Sequence, residues 1–366
     1  MQQLLTSYRR DLHQIPETDF DLPKTLAYVR KVLEQYPCTL FSPCKSTLCA
    51  YFDAHKPKTT AFRADMDALP ITERSQPCYA STHPGKMHAC GHDGHMAMVL
   101  ALANSVSEKL DQLPRNILLV FQPAEETTGG ARLVCESGVF EEYHCDRIIG
   151  WHLWPDLPKG VIASRPGPLL ARSSEVTVTV EGKSSHIAKP QDGADALYSA
   201  ARFVCEAYRR LETLGSPDER RLLKFGKLES GSARNAISAK SQLLGSLRVY
   251  SQSMFDAATA MLRQLAQEIE SETGCRFTLH FSDGYPPVIN NEELFQLAQA
   301  ALPQMQHLPE PLMIAEDFSF YQQHLPGLFL LLGTGSDIPL HADVFDFDES
   351  VLVTGVKADE ILMMLA

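Results

Sequence analysis

Residues 87–126 read MHACGHDGHMAMVLALANSVSEKLDQLPRNILLVFQPAEE, and this run decides the fold. It opens with a segment dense in metal-ligating side chains: His88, Cys90, His92, Asp93 and His95. From Asp93 to about Leu110 the run has the length and apolar content of a buried helix. NILLVFQ (116–122) then reads as a buried strand, and it ends on two adjacent acids, Glu125 and Glu126. A helix feeding an apolar strand whose end carries polar residues is the building unit of an α/β domain.

Working outward, TLAYVRKVLEQY (25–36) has helical periodicity, and TLCAYF, TTAFRADMD and RIIGWH are short apolar runs between helical stretches. This alternation predicts an α/β domain with a largely parallel sheet. The texture changes near Pro168. SSEVTVTVEG alternates β-branched and polar residues, as a strand with one exposed face does. A helix over ADALYSAARFVCEAYRRLETL follows, then strands around RLLKFGKLES and SQLLGSLRVY, a helix carrying Met254, Met261, Leu265 and Ile269, and RFTLHFS. The order β-α-β-β-α-β predicts a ferredoxin-like unit. The expected organisation is one discontinuous α/β domain (1–166 and 283–366) interrupted by an α+β insertion (167–282).

With 44% apolar and 21% charged residues the composition is that of an ordinary globular chain. No apolar run reaches the roughly 20 residues of a membrane span. The net charge of −12, with no offsetting Lys/Arg cluster, argues against a nucleic-acid partner. Nine cysteines without a C-x-x-C pair predict neither a zinc ribbon nor a disulfide framework. Cys49, Cys135 and Cys205 read as small core residues. The N-terminus lacks the apolar stretch of a signal peptide, so the expected compartment is the cytoplasm.

Imidazole and thiolate are preferred ligands of zinc-like ions, and carboxylates suit harder ones. In MHACGHDGH, Cys90 and His92 stand two apart and reach one centre if the segment is an extended turn; Asp93 suits a helix cap or a partner that orients a histidine. Side chains of the Glu125–Glu126 pair point in different directions at a strand end, where open α/β sheets place their sites. His152, in IIGWHLWP, closes another apolar strand, and His341 lies in IPLHADVFDFDE; Trp151 and Trp154 read as packing. Cys90, His92, Glu126, His152 and His341 together are too many ligands for one four-coordinate ion that also holds water. They suit two ions sharing a ligand, and a thiolate such as that of Cys90 can bridge.

With RRDLHQIPE, RADMDALPI, MHACGHDGH, FQPAEE, GWHLWP, VEGKSSHIAKPQDGADAL, SGSARNAIS, AEDFSFY and PLHADVFDFDE in this order, the sequence closely resembles the amidohydrolases typified by hippurate hydrolase, auxin-conjugate hydrolases and N-acetyldiaminopimelate deacetylase. The resemblance implies a zinc-exopeptidase-like catalytic domain carrying a ferredoxin-like lid and dimerisation domain. It implies that Cys90, His92, Glu126, His152 and His341 hold two divalent ions (zinc, manganese, cobalt or nickel), that Glu125 is the general base, and that Asp67 supports the ligands. His186 matches a lid histidine that reaches the substrate carbonyl, and Asn235 and Arg248 match lid positions near the substrate. The implied substrate is an N-acyl amino acid and the implied assembly a homodimer through the insertion. Arg248 is the candidate for the substrate carboxylate, with Arg172, Lys183, Lys189 and Arg234 as competitors.

Ser184 and Ser185 stand where two glycines are usual, Ile187 and Lys189 replace smaller or aromatic residues, and Ala315 stands where a glycine is common. These departures bear on the acyl and amine pockets. Three rival readings are a cysteine hydrolase with Cys90 as nucleophile, a silent binding protein of the same fold, and an exopeptidase acting on dipeptides.

Overall fold

Leu5, Tyr8 and Leu12 fall on one side of the first helix, α1 (Gln2–His13), and are buried there together with Arg9 and His13. Helix α2 (Pro23–Leu33) starts on a proline, whose fixed φ suits a first helical turn. The carboxylate of Glu17 takes the N–H groups of Lys24 and Thr25, each at 2.9 Å, so the last residue of RRDLHQIPE caps this helix. Strands β1 (Thr39–Phe41), β2 (Leu48–Phe52) and β3 (Thr59–Asp65) follow, then α3 (His92–Glu108) and β4 (Asn116–Gln122). Nearly every side of α3 is buried, as a helix apolar all round requires. Next come α4 (Gly130–Glu136), α5 (Val139–Glu142), β5 (Cys145–Trp154), β6 (Ile162–Ser164) and β7 (Gly167–Leu170).

The chain then builds β8 (Arg172–Glu181), α6 (Ala196–Glu212), β9 (Leu222–Ser230), β10 (Lys240–Val249), α7 (Gln252–Thr273) and β11 (Arg276–Phe281). It closes with β12 (Val288–Asn290), α8 (Glu292–Ala301), β13 (Gln306–His307), β14 (Gly327–Gly333) and α9 (Leu352–Leu362).

This computed structural model describes residues 1–366 and divides into two units. Unit 1 is Met1–Leu169, Val288–Pro311 and Asp317–Ala366; unit 2 is Leu170–Pro287 with Leu312–Glu316. The short return segment 312–316 thus counts with unit 2, although the sequence pattern carries no mark of it. Unit 1 holds an eight-stranded sheet in the order β1-β2-β4-β3-β5-β14-β6-β13. Its centre, β4-β3-β5-β14, is parallel, whereas β2, β1 and β6 run antiparallel to their inner neighbours. The sheet is therefore mixed rather than largely parallel: the reversed strands β2 and β6, five and three residues long, are too short to betray their direction. β3 and β4 are buried along their whole length, as central strands covered on both faces must be. β5 is a ten-residue strand, longer than its apolar run suggested.

Unit 2 has a four-stranded antiparallel sheet in the order β11-β8-β10-β9, the ferredoxin-like arrangement. Val176, Val178 and Val180 of β8 point into a core shared with Phe203 of α6 and Leu262 of α7. Cys205 is exposed, against the expectation of a core position. It lies two residues past buried Phe203, on the opposite side of a 3.6-residue helix. Cys49 and Cys135 are buried. No helix is long and apolar enough to cross a membrane.

Candidate metal centre

β3, β4, β5 and β14 run in the same direction, so the segments that leave their C-terminal ends gather at one edge of the sheet. Strand order turns at β3, with β4 on one side and β5 on the other, the kind of place where open α/β sheets form crevices. Asp67 follows β3, Glu125 and Glu126 follow β4, His152 lies near the end of β5, and His341 follows β14. MHACGHDGH enters the same edge at the start of α3. Gly91 has φ +86°, a left-handed turn natural to glycine, and it brings Cys90 and His92 to a common centre. Two other backbones in this region are strained: Ala124 at φ +57° and His341 at φ +66°. Such conformations in non-glycine residues concentrate at functional sites.

Potential donor atoms fall into overlapping groups, each within 4.8 Å: Cys90, His92 and His152; then Cys90, Glu126 and His341; then His92, Glu125 and Glu126. Cys90 belongs to the first two. The imidazoles are set for ligation by their other nitrogens. His92 donates from Nδ1 to the Asp67 carbonyl at 2.7 Å, and His152 from Nδ1 to the Leu153 carbonyl at 2.7 Å. Each keeps its Nε2 lone pair for the centre, and that of His152 lies 3.4 Å from Cys90 Sγ. Glu126 Oε1 is 3.2 Å from His341 Nε2 and 3.9 Å from His92 Nε2. The set of one thiol, three imidazoles and a carboxylate matches the donors that zinc and its first-row neighbours take. Glu126 Oε1 is buried with no hydrogen bond from the protein, which fits a ligand oxygen.

Charges in the site are strongly perturbed. Burial, with the carboxylates of Glu126 and Glu125, drives the Cys90 thiol well above its usual range. That is the opposite of what a metal-free nucleophilic thiolate needs, and it opposes the cysteine-hydrolase reading. Burial pushes Glu126 upward, but the approach of His341 and His92 outweighs it and holds the carboxyl low. His152 is pushed down to about 3 by burial and by neighbouring histidines, so it is neutral and able to ligate. Asp67, fully buried, accepts the backbone N–H of Glu125 at 2.9 Å and of Glu126 at 3.1 Å. It therefore fixes the direction of both acids, and burial raises it to about 7.

Other residues of the run have different work. Asp93 accepts from Arg9 Nε at 2.9 Å and His13 Nδ1 at 2.7 Å, which ties α1 to the start of α3. Its other oxygen accepts the Gly94 N–H at 2.9 Å in the first turn of α3, and it orients no candidate ligand histidine. His95 is bonded at both ring nitrogens, to Asp65 and to the Leu153 N–H. His88 is buried with neither nitrogen hydrogen-bonded, and burial lowers it to about 3. Asp65, Arg63 and Asp317 escaped the sequence reading. Arg63, fully buried, reaches Asp65 and Asp317 at 2.7 Å each and Gln122 at 2.8 Å, forming a charged floor under the ligands. The sequence shows the charges themselves, in RADMD and AEDF, but no local mark that they pair.

The lid candidates lie in unit 2. His186 and Asn235 are exposed. His186 Nδ1 accepts the Ala188 N–H at 3.1 Å, which leaves Nε2 as the outward nitrogen. Arg248 is half-buried and donates to the Met313 carbonyl at 2.6 Å. Arg172 is occupied by Gln252, by the Asp283 carbonyl and by the Phe255 ring, so it is a poor competitor. Lys183, Lys189 and Arg234 are exposed.

N-acetyldiaminopimelate deacetylase of Streptococcus uberis is 36% identical over 360 residues, spanning 95% of each chain. Its counterpart from Lacticaseibacillus paracasei is 34% identical over 97% of this chain and 95% of its own. A Bacillus subtilis protein, YXEP, whose structure is described as a dinuclear metal binding peptidase from the M20 family, superposes with a TM-score of 0.88 at 28% identity, covering 99% of this chain and 97% of that one. The sequence pattern of peptidase family M20/M25/M40 matches residues 61–364, and the chain belongs to that family.

Proposed function

We propose that this enzyme hydrolyses the amide bond of N-acyl amino acids at a two-metal site held by Cys90, His92, His152, Glu126 and His341. The observation that carries the reading is the double membership of Cys90: its sulfur lies within 4.8 Å of the donor atoms of both groups. Bound divalent ions supply an acidified water and polarisation of the amide carbonyl. Glu125, aimed by Asp67, takes the proton from water and returns it to the departing amine. His186 offers its Nε2–H to the developing oxyanion. Arg248 is assigned to the substrate carboxylate, with Asn235 beside the substrate.

The names of the relatives make N-acetyldiaminopimelate the first substrate to test. The word peptidase in the name of the Bacillus subtilis neighbour places dipeptides in the same panel. The test is hydrolysis of N-acetyl, N-benzoyl and indole-acyl amino acids beside dipeptides by metal-loaded protein. Turnover of N-acyl amino acids above dipeptides is expected; cleavage of dipeptides alone would replace this reading by an exopeptidase. Nine free thiols suit a reducing compartment, in keeping with the cytoplasm. The homodimer is assigned to unit 2, whose outer strand β9 leaves an unpaired edge with Leu228 exposed; the mass in solution tests it.

A further inference from the structure

His95 sits three residues after His92 on α3 and forms a further close group with Asp65 and His92, but both of its ring nitrogens are engaged within the chain. Nδ1 donates to Asp65 Oδ1 at 2.7 Å, and Nε2 accepts the backbone N–H of Leu153 at 2.9 Å. Leu153 directly follows His152, and its carbonyl accepts His152 Nδ1–H at 2.7 Å. One peptide residue is thus gripped at its N–H by His95 and in turn grips the ring of His152. The two imidazoles meet edge to face, with centroids 4.9 Å apart. Asp65 is itself anchored, taking Arg63 Nη1 at 2.7 Å, and Arg63 is fixed through its other nitrogens to Gln122 and Asp317.

We propose that His95 is a positioning residue for metal binding: backed by Asp65, it fixes the Leu153 peptide and thereby the tautomer and aim of His152 toward Cys90. The proposal rests on the ligand assignment made above. A ring hydrogen-bonded at Nδ1 to a backbone carbonyl must present Nε2 to a metal, and partners of this kind that orient a ligand are worth about 10–100-fold in metal affinity. His95 spends both nitrogens on this chain, so it has no bond left for Glu126 or His341. Its loss should weaken the ion held by Cys90, His92 and His152 and spare the ion held by Cys90, Glu126 and His341. A histidine that only filled the core would lower melting temperature and affect both ions alike.

The experiment is calorimetric titration of metal-stripped wild type, His95→Phe and His95→Gln with Co²⁺, together with thermal melting of each apo-protein. Wild type should take up two ions. His95→Phe should keep one at near wild-type affinity and bind the other about 10–100-fold more weakly. His95→Gln, whose amide oxygen can still accept the Leu153 N–H, should fall between the two. Two ions bound by His95→Phe with wild-type affinities would overturn the proposal, as would equal weakening of both in step with a lower apo melting temperature. If His95→Phe does not fold, His95→Gln decides alone: one ion weakened supports the relay, and unchanged affinities reject it. A wild type that takes up fewer than two ions rejects the ligand assignment itself, a failure visible before any variant is made.

Discussion

Unit 1 and unit 2 hold their candidate residues in opposite ways. In unit 1, His92 and His152 have their tautomers fixed by backbone carbonyls, Asp67 aims the two glutamates, and Arg63, Asp65 and Asp317 lie fully buried beneath. In unit 2, His186 and Asn235 are exposed, and only Arg248 is partly enclosed. A site whose side chains are locked before ligand arrives pays little reorganisation when charge develops, whereas exposed groups pay their ordering cost on binding. Substitutions at the buried candidate ligands and scaffold of unit 1 should therefore change metal content or stability, and those in unit 2 should change turnover alone. Glu125, as the base, is the unit 1 residue whose loss should spare metal and stability.

Glu125→Gln should sharpen this contrast most. It keeps the size of the side chain and removes the base, so turnover should fall by about 10²–10⁴-fold with metal content retained; normal turnover in a kinetic assay would remove Glu125 from the role. Arg9→Met tests the buried scaffold. Arg9 pairs with Asp93 and Asp346 at 2.9 Å each, and its side chain is fully buried. Stripping its charge leaves carboxylates uncompensated, and denaturant titration should show a loss of about 3–5 kcal/mol.

His186→Ala should behave in the reverse manner. Turnover should drop about 10²–10³-fold, while melting temperature and metal content stay at wild-type values because the side chain is exposed. A fall in metal content would erase the distinction between the units. The smallest effect is expected at Asp359, fully buried on α9, which accepts Trp151 Nε1–H at 2.7 Å. Burial, only partly offset by that bond, raises its carboxyl from 3.8 to about 8. The folded state therefore holds a proton that the unfolded chain releases near pH 4, so this group's contribution falls as pH rises from about 4 to about 8. Asp359→Asn keeps the acceptor and should add about 1–3 kcal/mol at neutral pH while flattening that slope in urea titrations.

What the sequence disclosed follows the same division. The candidate ligands of unit 1 were legible from different marks: Cys90 and His92 from a dense cluster before an apolar helix, Glu126 and His152 from the ends of apolar strands, and His341 only from the resemblance. Gly91 could be seen between Cys90 and His92, but not its left-handed backbone. Arg63 and Asp65 could not be read as a floor, since their partner Asp317 lies far along the chain and charges inside the apolar run TTAFRADMD carry no local mark of pairing. Asp359 was equally hidden, because one acid in a terminal helix ordinarily faces water. Direction in the sheet was lost with β2 and β6, which carry too few residues to pattern. In unit 2 the alternation of β8 and the periodicity of α6 and α7 were plain, yet Cys205 turned outward since a helix 17 residues long has a face that its apolar content alone does not reveal.

The most direct test of the central claim is the metal content and N-acyl-amino-acid hydrolysis of one preparation of Cys90→Ala beside wild type. Wild type should hold two divalent ions per chain, lose activity on chelation and regain it on metal return. Cys90→Ala, lacking the thiol common to both donor groups, should bind neither ion tightly and hydrolyse nothing measurable. Two ions and full activity in Cys90→Ala, or undiminished activity of chelated wild type, would contradict the account.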